Sequence, residues 1–209
     1  MPRRPTLRVA EVFASVQGEG LRQGEPMVFV RLAGCNLRCS FCDTAYAWTD
    51  GRAMTPAQVG AKVKALRKRF PARWVCLTGG EPMLQDIGAL VRSLKKSGLK
   101  VQVETNGTIF RPSSADWVTV SPKPDKYQYD RRYKRIAREV KIVVTKSLSL
   151  AVLRKLKAEF PAKVPLTLQP ESNAPWSRAK AVRLFKRAVH EGIADIRLSV
   201  QLHKVLGIP

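Results

Sequence analysis

The chain has 209 residues, 44% of them hydrophobic, and sets 38 Lys and Arg against 16 Asp and Glu, for a formal net charge of +22. That length suits one domain, residues 1–209, with a substantial core; no apolar run approaches the roughly 18 residues of a membrane span, and MPRRPTLRVAEVF lacks the apolar stretch of a secretory signal. Such charge raises nucleic-acid binding as a function, but the cations are spread along the chain and their concentrations at 64–69 (KALRKR) and 131–138 (RRYKRIAR) do not read as base-stacking platforms. A generally cationic surface in a cytoplasmic protein is expected, one that an acidic electron-transfer partner fits; neither a membrane nor a nucleic acid is expected as a partner.

In chain order, Leu7–Phe13 and Met27–Leu32 read as strands, followed at once by GCNLRCSFCDT. Thr55–Phe70 predicts a helix opened by a Thr-Pro start. Trp74–Thr78 is a strand ending in TGGEP, and Asp86–Ser97 carries Ile87, Leu90, Val91 and Leu94 on one helical face before Gly98. Strands follow at Lys100–Glu104, Trp117–Ser121, Val140–Val144, Leu166–Gln169 and Ile196–Val200, with helices predicted at Leu148–Phe160 and Ser177–His190. Strand–helix alternation predicts an α/β fold with a mostly parallel sheet. The polar signatures GCNLRC, TGGEP, ETNG, SPKP, QPES and SVQLHK each follow a strand, where barrel-like α/β folds keep their reactive groups. A complete eight-fold barrel takes about 250 residues, so a partial or trimmed (β/α) barrel is expected. The helix-poor connections after Glu104 and Ser121 fit that trimming.

Cys35, Cys39 and Cys42 crowd into eight residues. Three neighbouring thiols make no disulfide framework, whereas thiolates from one short loop suit a metal centre. Iron–sulfur clusters usually take four Cys; three leave one iron open to a small molecule. A zinc knot needs a fourth protein ligand, and neither His190 nor His203 lies at a finger spacing. Cys76, inside WVCLT, reads as a core residue.

Cys35-x3-Cys39-x2-Cys42, with Phe41 before the third cysteine, resembles the signature of radical S-adenosylmethionine (SAM) enzymes, and Gly79-Gly80-Glu81-Pro82 resembles their GGEP motif. SVQGEG at 15–20, FVRLAGCNLRCSFCDT at 29–44, LTGGEP at 77–82, ETNGT at 104–108, SPK at 121–123 and the final SVQLHKVLGIP resemble the 7-carboxy-7-deazaguanine synthase family over nearly the whole chain. That resemblance implies a radical SAM carbon–nitrogen lyase that converts 6-carboxytetrahydropterin to 7-carboxy-7-deazaguanine with loss of ammonia, for queuosine and other deazapurines. It implies hydrogen abstraction at C6 followed by ring contraction, and a homodimer.

The same resemblance assigns roles. Cys35, Cys39 and Cys42 are implied to hold a [4Fe–4S] cluster. Phe41, Gly79, Gly80, Glu81, Ser121, Pro122, Lys123, Gln169, Pro170, Glu171 and Ser172 are implied to bind SAM, and Thr44 to hold Mg²⁺. Val16, Gln17, Gly18, Glu19, Arg31 and Thr78 match the substrate site, with Glu19 either touching the pterin or supporting its loop. The carboxylate of Pro209 is implied to accept hydrogen bonds from the pterin. Arg31 also stands out physically: a guanidinium in an apolar strand is costly unless paired, and it suits a carboxylate. That carboxylate is either the substrate's or a protein acid, Glu11, Glu19 or another. The surplus of cations suits an acidic flavoprotein as the electron donor. Two rival readings stay open: an activating enzyme for a glycyl-radical protein, and a basic zinc-knot module that binds nucleic acid.

Overall fold

The computed structural model describes residues 6–124 and 126–209. The chain divides into two compact units: the first takes in the segment up to Val16, Glu25–Thr105 and Ile109–Trp117, the second Gln17–Gly24, Asn106–Thr108 and Val118–Pro209.

The first unit is a five-stranded sheet with two helices on one face. Its strands are β1 (Leu7–Val16), β2 (Pro26–Leu32), β3 (Arg52–Met54), β4 (Trp74–Gly79) and β5 (Lys100–Thr105), in the order β3-β1-β2-β4-β5. β1 runs antiparallel to β2 and β3, whereas β2, β4 and β5 are parallel. α1 (Pro56–Arg67) starts as its sequence predicts: Thr55 accepts from the Gln58 N–H, and the Gln58 side chain answers the Thr55 N–H, a capping box with Pro56 at the first position. α2 (Gly88–Lys96) ends before Gly98, whose φ of +75° only glycine adopts cheaply.

Period-two alternation sorts the sheet's side chains. Val28, Val30, Leu32, Val75, Leu77, Val101 and Val103 join Val59, Val63, Leu90, Val91 and Leu94 of the helices in the main core. The opposite face carries Phe13, Met27, Phe29, Trp74 and Cys76. Cys76 is fully buried there, as expected of a small apolar residue. A bulge in β1 between Val9 and Glu11 changes the parity of that strand. Leu7 and Val9 face the helices before it; Val12 and Ala14 do so after it. Glu11 is thereby set opposite Arg31, and Phe13 opposite Phe29.

The second unit holds four parallel strands, β6 (Trp117–Val120), β7 (Glu139–Val144), β8 (Leu166–Pro170) and β9 (Ile196–Leu198). Val140, Ile142, Val144, Leu166 and Leu168 are buried, as are Leu153 and Leu156 of α3 (Leu150–Glu159) and Ala181, Leu184 and Ala188 of α4 (Pro175–His190). The Ser149 hydroxyl caps α3. α4 begins two residues before the predicted Ser177 because Pro175 fits a first helical turn. The intervening strand positions are polar yet buried: Thr119, Glu139, Lys141, Thr167 and Gln169. A sheet face so polar has to be satisfied internally or by a ligand. Among the described residues, the connections 106–116 and 121–138 carry no α-helix, as their sequences suggest, and a short α5 (Leu202–Leu206) follows β9. Among the described residues, no helix is long and apolar enough to cross a membrane.

Candidate active site

The cysteine loop leaves β2 through Gly34, whose φ is +97°, and its base is closed by the Gly34 N–H donating to the Ala47 carbonyl at 2.8 Å. Inside it the Cys42 N–H bonds the Cys39 carbonyl at 3.0 Å. The thiols of Cys35, Cys39 and Cys42 are partly exposed and form no disulfide, and the Cys42 sulfur lies 3.6 Å from the Thr44 hydroxyl. Phe41 is half-buried beside them. Among the described residues, no three Cys, His, Asp or Glu side chains are already gathered as a metal-holding group. The donor chemistry nevertheless suits an iron–sulfur cluster, because one loop offers three soft thiolates and no imidazole.

The GGEP turn is stitched to the base of that loop. The Gly80 N–H donates to the Leu32 carbonyl at 3.0 Å and the Glu81 N–H to the Gly34 carbonyl at 2.7 Å. Both glycines have a local cause. A Cβ at Gly79 would sit 2.0 Å from the Leu32 oxygen; one at Gly80 would sit 2.2 Å from the Gly34 oxygen and 2.9 Å from the Cys35 Cβ. Glu81 is fully buried, accepting from the Met83 N–H at 2.9 Å and the Thr105 hydroxyl at 2.7 Å. It therefore pins the end of β4 to the end of β5.

Arg31 and Thr78 are register partners at the ends of β2 and β4. Arg31 Nε donates to Glu11 Oε1 at 2.6 Å, and its guanidinium lies 5.6 Å from the Phe13 ring centroid. The Tyr46 hydroxyl donates to the same Glu11 oxygen at 2.6 Å. Burial works to raise the Glu11 pKa, yet the hydrogen bonds from Tyr46 and Arg31 and the arginine charge carry it below its ordinary value. Val16 ends β1 opposite Pro26.

In the second unit, the QGEG segment is held from all sides. Glu19 accepts from Lys141 Nζ at 2.6 Å and from Gln201 Nε2 at 2.7 Å. Burial pushes the Glu19 pKa up, but the Lys141 charge, both hydrogen bonds and the His203 charge hold it well below the carboxylate range. The buried Gln17 accepts from the Glu19 N–H at 3.2 Å. The Gly18 carbonyl accepts from the Leu202 N–H at 2.8 Å, and a Cβ on Gly18 would lie 1.9 Å from His203 Nδ1. The Gly20 and Leu21 N–H groups donate to Ser199 Oγ and Glu139 Oε1, each at 3.0 Å. Glu139 also accepts from the Thr167 hydroxyl at 2.6 Å.

The strand-end motifs of this unit split by environment. Lys123 Nζ donates to the buried Ser121 hydroxyl at 2.6 Å, with Pro122 buried between them. Gln169 is 2% exposed, and neither its amide nitrogen nor its amide oxygen has a partner among the described residues. Burying an amide unpaired is costly, so this side chain fits a polar ligand such as SAM. Pro170 ends β8, the Glu171 N–H bonds Ser177 Oγ at 2.8 Å, and Ser172 and Asn173 hold φ of +49° and +53°. Asn173 and Gln201 exchange two hydrogen bonds of 2.9 Å. Ile208 N–H closes α5 on the His203 carbonyl, with Pro209 exposed beyond it.

Glu11 enters the sequence reading only as a possible partner of Arg31, and Tyr46, Glu139, Lys141, Asn173 and Gln201 are absent from the sequence-based site. The cost argument that singles out Arg31 in an apolar strand applies equally to Lys141 in EVKIVV, and would have found it. Tyr46 and Asn173 carry no such signal.

Residues 29–195 match the Radical SAM superfamily. The chain is 37% identical over 203 residues to a 7-carboxy-7-deazaguanine synthase of Aquifex aeolicus, covering 93% of this chain and 90% of that one. A synthase of the same name from Methanospirillum hungatei is 32% identical over 97% of this chain and 86% of its own. The crystal structure of QueE from Escherichia coli superposes with a TM-score of 0.78 at 28% identity, covering 95% of each chain. The α/β fold is accordingly the partial barrel of radical SAM proteins, a membership that implies a [4Fe–4S] cluster and SAM. The chain belongs to the radical SAM superfamily and, within it, to the 7-carboxy-7-deazaguanine synthase family.

Proposed function

We propose that this protein is a carbon–nitrogen lyase that converts 6-carboxy-5,6,7,8-tetrahydropterin to 7-carboxy-7-deazaguanine with release of ammonia. What supports it most is that three cysteines on one loop, none of them in a disulfide and the loop stitched at its base to the GGEP turn, occur in a chain similar over nearly its whole length to synthases of that name. When bound, the cluster and SAM supply radical hydrogen abstraction at the substrate's C6. Cys35, Cys39 and Cys42 would hold the cluster through their thiolates. Phe41, Gly79, Gly80, Ser121, Pro122, Lys123, Gln169, Pro170, Glu171 and Ser172 serve SAM, with the orphaned Gln169 amide gaining its missing partners. Glu81 serves by holding the turn rather than by reaching out, since its carboxylate is already engaged at Met83 and Thr105.

Val16, Gln17, Gly18, Glu19, Arg31, Thr78 and Pro209 serve the pterin. Arg31 uses its terminal nitrogens to grip the substrate carboxylate, a charge-assisted bond that fixes the pterin before ring contraction. Glu19 supports the loop, because Lys141 and Gln201 already occupy its oxygens. The Thr44 hydroxyl and the substrate carboxylate take a Mg²⁺ together, since Mg²⁺ leans on substrate oxygens. The two units act as one radical SAM domain in a cytoplasmic homodimer, reduced by an acidic flavoprotein attracted to the +22 surface.

Cys39→Ala tests the scheme at its root. The brown absorbance of the reconstituted cluster and all turnover are expected to vanish together. Full activity in an iron-free, zinc-loaded preparation would contradict the scheme.

A further inference from the structure

We infer that Glu11 is a positioning residue that sets Arg31 for the substrate carboxylate and ties it to the cysteine loop through Tyr46. The inference rests on the proposed carboxypterin substrate. It starts from the bulge in β1. With regular pairing from Val9 opposite Leu32, the residue opposite Arg31 would be Ala10; the inserted residue brings Glu11 there instead. A bulge is a local disruption of the ladder, and here it re-aims one carboxylate at one guanidinium.

That carboxylate has two donors on a single oxygen. Arg31 Nε lies 2.6 Å from Glu11 Oε1, and so does the Tyr46 hydroxyl. Engaging Arg31 through Nε fixes the plane of the guanidinium and leaves its terminal nitrogens as a fork for a second carboxylate. The Phe13 ring, itself stacked on Phe29 with centroids 5.0 Å apart, backs the same cation. Tyr46 belongs to the short turn Ala45–Trp48, whose Ala47 closes the cysteine loop on Gly34. One carboxylate thus links the arginine to the loop that carries the thiols. The Arg31 side chain is 16% exposed and that of Glu11 37%, so Glu11 tolerates substitution better than a core position would.

The test compares wild type, Glu11→Gln, Tyr46→Phe, Arg31→Lys and the Glu11→Gln/Arg31→Lys double variant, all anaerobically reconstituted to equal iron content. Glu11→Gln is expected to raise the KM for the carboxypterin about tenfold with kcat little changed, the size of effect typical of a lost charged hydrogen bond. Tyr46→Phe should do the same to a smaller degree. Binding of a 6-methylpterin, which has no carboxylate, should be equal in wild type and Glu11→Gln. In the Arg31→Lys background the Glu11 change should add no more than about twofold. A wild-type KM in Glu11→Gln, a full tenfold penalty on top of Arg31→Lys, or an equal loss of 6-methylpterin binding would each overturn the inference while leaving the lyase assignment standing. A wild-type protein that neither binds nor converts the carboxypterin would bring down both.

Discussion

Single residues carry the clearest consequences. Lys141 is nearly enclosed, with 5% of its side chain exposed against 22% for Glu19. Removing one member of such a pair strands the other, so Lys141→Met should cost about 3–5 kcal/mol in urea denaturation. The same pair gives a pH signature. The folded pKa of Glu19 lies below its ordinary 4.5, so the stabilisation is complete above that value and is lost as the pH falls below it. Wild-type stability should decline below pH 4.5 more steeply than that of Lys141→Met; parallel curves would show that the pair adds nothing. Gly80→Ala places a Cβ 2.2 Å from the Gly34 oxygen at the base of the cysteine loop. Overpacking of that kind costs about 1–3 kcal/mol, and iron content per chain after reconstitution should drop with it. Cys35 and Arg31 announce themselves in the sequence because their residue types are expensive or reactive where they stand. The orphaned Gln169 amide does not, since an amide looks alike in a strand whether paired or not.

At the scale of elements, α1 to α4 were legible because their signals are local, whereas the five-residue α5 was not. Thr55 and Gln58 form the predicted cap of α1, and Thr55→Ala should cost about 1 kcal/mol by thermal or urea unfolding. The parallel strands β4, β5, β7 and β8 were legible from apolar runs bounded by turn residues. β1 was only half legible. Its first residues alternate one way and its last the other, and nothing in LRVAEVFASV marks the inserted residue as such. Its antiparallel pairing with β2 is likewise a long-range fact. Deleting Ala10 would bring the strand back to uniform parity and turn either Leu7 and Val9 or Val12 and Ala14 away from the helices. We expect that deletion to abolish a cooperative unfolding transition, read by circular dichroism.

For the whole molecule, charge and chemistry point in different directions. A net charge of +22 suggests polyanions, but the residues with structural peculiarities are thiols, an orphaned amide and a strand-borne guanidinium, and these belong to a small-molecule enzyme. The family membership was readable from six short motifs in the chain, because strand-end loops carry the chemistry while the strands only have to pack. How those motifs are held was only partly readable: Glu11 was a candidate partner for Arg31 and burial cost points to Lys141, but Glu139 reaches Leu21 and Thr167 across stretches far apart in sequence that no motif marks. The most direct measurement of the central claim is an anaerobic incubation of the iron-reconstituted protein with reductant, SAM, Mg²⁺ and 6-carboxytetrahydropterin, followed by mass spectrometry. The account predicts 7-carboxy-7-deazaguanine and ammonia in equal amounts, with many product molecules formed per SAM consumed; SAM cleavage with no deazapurine formed would contradict it.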